Sequence, residues 1–452
     1  MATQENRRAP ARVELITLDP GHFHAALIQR EHYPNTSPRV HVYAPFGQDL
    51  VDHLARLARF NQRADSPTHW QVEVHASDDF LERMLSERPG NVVVISGRNR
   101  GKIGKVTRSV GAGLHGLVDK PWILSSSDLG ALEQALDLAD QKGCILLDIM
   151  TERFEVTSVL QRALVADDGV FGAIEPGTIE RPSVYMESVH HLMKNVAGVP
   201  NLRPAWFFDP AQQGEGLTDI GAHLVDLAQW TLFPEQSLDH RRDIELLAAQ
   251  RWPTIVPMTD FQRVTGETAL PAFLERQRRG QALECFMNTF VTYKLRGIHV
   301  ALSVIWDWEA PAGGADRHFA VYRGKKARVE VRQGRAQGYR TELFVVPNEG
   351  KALPDVQAAL ARRLNVLAAT YPGLALDARG GELHVSIPDQ HRTSHERHFA
   401  QVANRFLDFI QNPASLPRWE KPNMLAKYWL TTHGTELAQR SAAKMAPRLA
   451  PA

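Results

Sequence analysis

The chain has 452 residues, 43% hydrophobic and 23% charged, with a net charge of +1 and two cysteines. That length suits two domains or one large elaborated one, and the near-neutral balance gives no electrostatic case for nucleic acid or a membrane surface. So few cysteines exclude a disulfide framework and a four-cysteine metal site, and no apolar run of about 18 residues predicts a transmembrane helix.

In chain order, residues 1–12 read as a flexible polar tail without an apolar signal core. The expectation is a cytoplasmic protein, or a periplasmic one if an export signal was trimmed. Residues 13–150 alternate strand and helix patterns. Strands are expected at 13–18, 39–44, 70–75, 91–96, 115–120 and 144–149. The first helix is expected over 23–30, and Ser125-Ser126-Ser127-Asp128 is expected to cap another through Gln141, closed by Gly143. This is the βαβ rhythm of a doubly wound parallel (Rossmann) sheet, an α/β fold.

Residues 151–452 read as an α+β domain. A helix is expected over 154–165, and strands at 184–190, 244–250, 285–295, 299–308, 317–323, 326–332 and 342–346. The tight loops between several strands favour a large, mostly antiparallel sheet. Segments 253–282 and 348–398 read as insertions, and 395–410 and 424–441 as closing helices. The basic run Arg276-Gln277-Arg278-Arg279 reads as a solvated helix face.

Chemistry concentrates in a few places. Leu18-Asp19-Pro20-Gly21-His22-Phe23-His24 joins the first strand to the first helix, where a dinucleotide fold presents backbone N–H groups to a pyrophosphate. Only Gly21 stands in that turn, and Asp19 adds a negative charge; alone, the segment is an ordinary Pro-Gly turn. After the second strand no acid stands at the tip; Asp49 is the nearest, and no Arg is adjacent to favour a 2′-phosphate. Ser96-Gly97-Arg98-Asn99 closes the fourth strand, either at a ligand crevice or as a surface turn. Lys120, in Val118-Asp119-Lys120-Pro121, either reaches water or hydrogen-bonds a substrate hydroxyl.

Asp219, His223 and Asp226, after Gly214-Glu215-Gly216, fall on one helical face. A histidine there suits acid–base work near neutrality, with a carboxylate one turn away, and the glycines allow a ligand to approach closely. The alternative is a capped helix with a core histidine. His190 and His191, followed by Lys194, stand near a strand end, where substrate contact is favoured over metal binding. No metal is expected, since neither this run nor His22-Phe23-His24 has ligand spacing of the HExxH kind.

In this order the residues resemble the Gfo/Idh/MocA family (glucose-fructose oxidoreductase, inositol dehydrogenase and rhizopine catabolism proteins), in a subgroup with an enlarged C-terminal domain. Asp119-Lys120-Pro121 is similar to the family's Glu-Lys-Pro, Asp219 to His223 to its Asp-x-x-x-His, and Gly21-His22-Phe23-His24 to its Gly-x-x-His with the earlier glycines lost. Thr151-Glu152-Arg153-Phe154 partly matches its motif after the sixth strand. The resemblance implies NAD or NADP, NAD slightly favoured, contacted by Asp19, Pro20, Gly21, His22, Phe23, Ser96, Gly97, Arg98, Asp119 and Lys120. It implies Lys120, Asp219 and His223 as catalytic residues and Arg153, His190, His191 and Asp219 as sugar contacts. The implied reaction moves a hydride between nicotinamide and a ring hydroxyl or keto group of a sugar or glycoside, such as C3 of a glucoside. A homo-oligomer through the C-terminal sheet is implied as well. The alternatives are a non-catalytic ligand-binding protein on the same fold and a metal-dependent lyase using His190 and His191.

Overall fold

The computed structural model describes residues 12–196, 199–200, 202–348 and 353–445, so residues 1–11 of the expected tail lie outside the described residues. The chain divides into two compact units.

The first unit comprises the described residues of Met1–Ile123, with Asp128–Thr151 and His395–Pro417. Its strands are β1 (Val13–Leu18), β2 (Thr36–Ala44), β3 (Gln71–Ala76), β4 (Val92–Ile95), β5 (His115–Val118) and β6 (Leu146–Asp148). They form one parallel sheet in the order β3-β2-β1-β4-β5-β6. The four residues of β4 are all buried, as a strand covered on both faces requires. The connecting helices are α1 (His24–Ile28), α2 (Gln48–Gln62), α3 (Phe80–Glu87), α4 (Lys102–Gly111) and α5 (Leu129–Lys142). The strand order reverses between β1 and β4, which opens a crevice at their carboxyl ends. Helix α1 is shorter than its apolar run suggested. Helix α5 does end in a left-handed Gly143, but its N-cap is Asp128, without a side-chain cap bond.

The second unit comprises Leu124–Ser127, Glu152–Ser394 and the described residues of Arg418–Ala452. Its elements are α6 (Val156–Val165), β7 (Val184–Met193), the short pair β8 (Asn195–Val196) and β9 (Val199–Pro200), α7 (Ile220–Leu232), β10 (Ile244–Pro257), α8 (Met258–Thr265), β11 (Arg278–Arg279), β12 (Ala282–Leu295) and β13 (Ile298–Glu309). These are followed by β14 (Arg317–Arg323), β15 (Ala327–Gln333), β16 (Glu342–Pro347), α9 (Leu353–Leu367), β17 (Ala375–Arg379) and β18 (Glu382–Ser386). A ten-stranded sheet runs β10-β12-β13-β7-β14-β15-β16-β18-β17, with β11 beside β12. It is antiparallel except where β13 meets β7. The segments read as insertions contribute to this sheet. Thr254–Pro257 pairs with β12, and β17 and β18 extend the edge beyond β16; β18 carries the alternation a half-buried strand needs. The basic run at 276–279 lies on a 3-10 turn and β11 rather than on a helix face; Arg276 pairs with Asp209 and Arg279 with Glu284.

Two helices end the described chain. In α10 (His395–Gln411), Phe399, Val402, Ala403 and Phe406 are buried at helical spacing, and Phe399 packs its ring 4.5 Å from that of His24. This segment therefore belongs to the first unit, although the sequence reading assigned all of 151–452 to the second domain. Helix α11 (Glu420–Met445) packs with α7, and α7 with α6 and the sheet, forming one helical layer over the core. Helix α7 is buried almost all round, as its run of apolar and small residues dictates.

Candidate functional site

In the first unit the β1–α1 turn, the β4 loop and the end of β5 meet at Asp119. Its Oδ2 lies 2.7 Å from His22 Nδ1, and both carboxylate oxygens lie 3.1 Å from His24 Nδ1. Ser96 Oγ donates to the same carboxylate at 2.9 Å, and His22 N donates to Ser96 O at 2.9 Å. Burial holds the His24 imidazole down at about 3 against the pull of Asp119, so it is neutral at pH 7. Burial also pushes the Asp119 carboxyl up, but the imidazoles beside it more than reverse this, and it stays well below the usual carboxylate range. The ligand atoms of His22, His24 and Asp119 lie within 4.8 Å of one another, a spacing that also suits a metal ion. The 2.7 and 3.1 Å N···O separations are hydrogen-bond lengths, and we read the trio as a proton-linked network.

Asp19 sits at φ +51°, and Lys105 pairs with its carboxylate, answering the negative charge beside the expected phosphate position. Gly21 N bonds Asp19 O at 2.9 Å, with Pro20 between them. Phe23 is the N-cap of α1 and packs its ring 4.6 Å from those of His22 and His24. A Cβ on Gly97 would come 2.1 Å from Asp19 O, so only glycine lets the two turns meet. Arg98 reaches to 3.7 Å from Asp49 at the start of α2; the fold thus brings an arginine near the β2 tip that local sequence did not reveal. Lys120 lies buried two residues beyond β5. Lys102, absent from the sequence candidates, is fully buried and donates to Asn99 Oδ1 at 2.5 Å and Asp119 O at 2.8 Å; burial lowers its ammonium to about 8.

In the second unit Asp219 is the N-cap of α7, without a side-chain cap bond, and His223 follows one turn later; both are buried. The glycines before them serve packing. A Cβ on Gly216 would lie 2.0 Å from Met287 O, and Gly214 adopts φ +97° with Thr218 Oγ1 at 2.4 Å from its virtual Cβ. They give no separate sign of a ligand. Glu215 between them accepts from Arg251, and from Gln439 at 2.8 Å.

Asp226 belongs to an ion-pair network. It accepts from Arg153 Nε at 2.6 Å, Arg153 Nη2 at 2.7 Å and Lys427 Nζ at 3.1 Å, while Arg153 Nη1 donates to Glu420 at 2.7 Å. Arg153, an expected sugar contact, thus has its guanidinium taken up by carboxylates, a structural role its local motif could not disclose.

His190 and His191, at the end of β7, both direct Nδ1 at Asp316, at 3.3 and 3.1 Å, and Lys194 joins the same carboxylate. Burial raises the Asp316 carboxyl, but the two imidazoles and Lys194 hold it well below the usual range. Half-buried His318, beside His190, is lowered to about 4 by desolvation. Arg203 underlies this cluster. It donates to Leu192 O at 2.8 Å and His191 O at 3.2 Å, and its guanidinium lies 4.6 and 5.0 Å from the Phe207 and Trp306 ring centres. Asp316 and Arg203 were not sequence candidates; their partners lie on other elements, and local pattern carries no signal for them. Among the described residues no helix is long and apolar enough to cross a membrane.

The putative oxidoreductase C-terminal domain family matches residues 160–439, more than half of the chain. A putative oxidoreductase from Parabacteroides merdae ATCC 43184 is 45% identical, with 96% of this chain and 99% of that one covered and a TM-score of 0.93. GenD2 from gentamicin A biosynthesis, solved with NAD, is 16% identical over 98% and 97% of the chains, TM-score 0.58. Levoglucosan dehydrogenase, solved with NADH and levoglucosan, is 13% identical over 95% and 97%, TM-score 0.57. At those last two identities the likeness concerns the fold alone. The chain matches no curated protein. The fold is that of the Gfo/Idh/MocA group. The chain belongs to the oxidoreductase family defined by that C-terminal domain.

Proposed function

We propose that this protein is an NAD(P)-dependent dehydrogenase acting on a ring hydroxyl of a sugar or glycoside, C3 of a glucoside being one candidate. The observation that carries the reading is the pairing of two features in one oxidoreductase chain. One is a doubly wound sheet with Lys120 just beyond β5; the other is a buried Asp219–His223 pair at the start of α7. The solved relatives described above with NAD or with NADH and a sugar support the cofactor and the substrate class.

The residues at the β1–β4 switch point suit a dinucleotide. Their turns are closely packed and Lys105 compensates Asp19; Asp49 offers a carboxylate for ribose hydroxyls and Arg98 beside it a cation for a 2′-phosphate, so the site suits NAD or NADP. A nicotinamide bound there would accept or return the hydride. His223 takes the proton from the ring hydroxyl, Lys120 donates a hydrogen bond to the same oxygen as negative charge develops, and Asp219 orients the sugar or the imidazole. His190 and His191 contact the sugar. The C-terminal sheet is proposed as the oligomer interface.

The test is a panel of glycosides and free sugars, with NAD(H) absorbance as the readout. Lys120→Ala and His223→Ala are expected to lower turnover by about 100-fold or more while the fold persists. Unchanged turnover in both removes the assignment. The single-glycine turn favours the second reading, a non-catalytic binding protein; purified protein that never binds or releases NAD(H) would support it.

A further inference from the structure

Asp316 leads into β14, and three side chains from the end of β7 converge on it: His190, His191 and Lys194. The two imidazoles differ at their second nitrogen. His190 Nε2 lies 2.8 Å from Ser188 Oγ, whereas among the described residues nothing engages Nε2 of His191. An ionised carboxylate only accepts hydrogen bonds. A neutral imidazole held by it therefore carries its proton on Nδ1 and a lone pair on Nε2. Lys194 shares the carboxylate and offsets its charge, and Arg203 holds the His191 backbone through the 3.2 Å bond to its carbonyl.

We propose that Asp316 is a positioning residue that holds His191 with Nε2 as a hydrogen-bond acceptor for a substrate hydroxyl. An acceptor at this point selects a neutral polyol, whose hydroxyl donates, over a carboxylate or phosphate group, which only accepts. The assignment rests on the sugar-dehydrogenase reading and deepens it by naming the residue that sets the direction of one sugar contact.

The test uses full-length protein labelled with ¹⁵N-histidine, with His191→Gln to assign the resonance, together with the glycoside panel. In the wild type, His191 is expected to show a pyridine-type Nε2 that shifts when the turned-over glycoside is added. Asp316→Asn can donate through its amide, so it should populate the other tautomer. It should also raise the sugar KM by about tenfold, the loss of one hydrogen bond, without changing NAD(H) affinity, and Asp316→Glu should restore most of the loss. A protonated, pyrrole-type Nε2 in the wild type overturns the proposal, as does an Asp316→Asn KM within about twofold of wild type. If Asp316→Asn does not fold, the wild-type tautomer and Asp316→Glu decide. If no sugar is turned over, the dehydrogenase reading fails, while the tautomer still decides whether Asp316 sets the ring.

Discussion

Removing Asp226 should unfold the second unit well before it alters any substrate contact. This carboxylate accepts three hydrogen bonds from two cations, Arg153 and Lys427, and both it and Lys427 are almost fully buried. With Glu420 added, two cations and two carboxylates sum to zero. In Asp226→Asn the same pocket holds two cations against one carboxylate. Breaking a buried pair from one side costs about 3–5 kcal/mol, because a charge is stranded away from water. At about 2–4 °C per kcal/mol for a domain of this order, the melting temperature should fall by roughly 6–20 °C. Burial raises the Asp226 carboxyl, but Arg153 and Lys427 lower it further than that. A depressed folded-state pKa contributes stability that is present above the unfolded value of about 3.9 and is lost as pH falls toward the folded one. The variant should therefore lose more at pH 7 than at pH 3. Differential scanning fluorimetry at both pH values, with Glu420→Gln as the milder control, reads this out. A melting temperature within 2 °C of wild type for Asp226→Asn at neutral pH would refute the argument (about 1 kcal/mol or less).

Three further outcomes are expected. Buried His24 and His53, each lowered to about 3, and half-buried His318, lowered to about 4, are neutral when folded. Their folded pKa lies below the unfolded value of about 6.5, so stability should be full above that pH and fall below it by about 1.4 kcal/mol per pH unit per histidine. Urea unfolding across pH 4–7 checks this, and a flat profile would contradict it. Gly216→Ala should cost about 1–3 kcal/mol, since the new Cβ meets the Met287 carbonyl at 2.0 Å; equal urea midpoints would contradict that. Elemental analysis after dialysis should find no stoichiometric metal, and EDTA should leave activity unchanged; one equivalent of zinc removed by His24→Ala would replace the hydrogen-bond reading of the Asp119 cluster.

The sequence disclosed those elements whose own side chains report their surroundings. Strands β1 and β14 begin and end where their strand patterns placed them, and Gly143 terminates α5 as its left-handed conformation demands. The partner of an amphipathic face is not written in the face, so α10 was legible as a helix and not as part of the first unit. The same limit governs the polar clusters. His24 meets Asp119 across 95 residues, and His190 and His191 meet Asp316 across 126 and 125. No local spacing encodes such meetings; tertiary structure creates them. Arg153 is the converse case, where a motif suggested a sugar contact and packing committed the guanidinium to two carboxylates.

Isotope transfer tests the dehydrogenase proposal most directly. A ring-deuterated glucoside is incubated with the purified protein and NAD+, and the reduced cofactor is weighed by mass spectrometry. The account predicts NADH heavier by one deuterium in the wild type, and a rate of labelling reduced by about 100-fold or more in Lys120→Ala and His223→Ala. Unlabelled cofactor across the whole glycoside panel, or labelling at the wild-type rate in both variants, would contradict it.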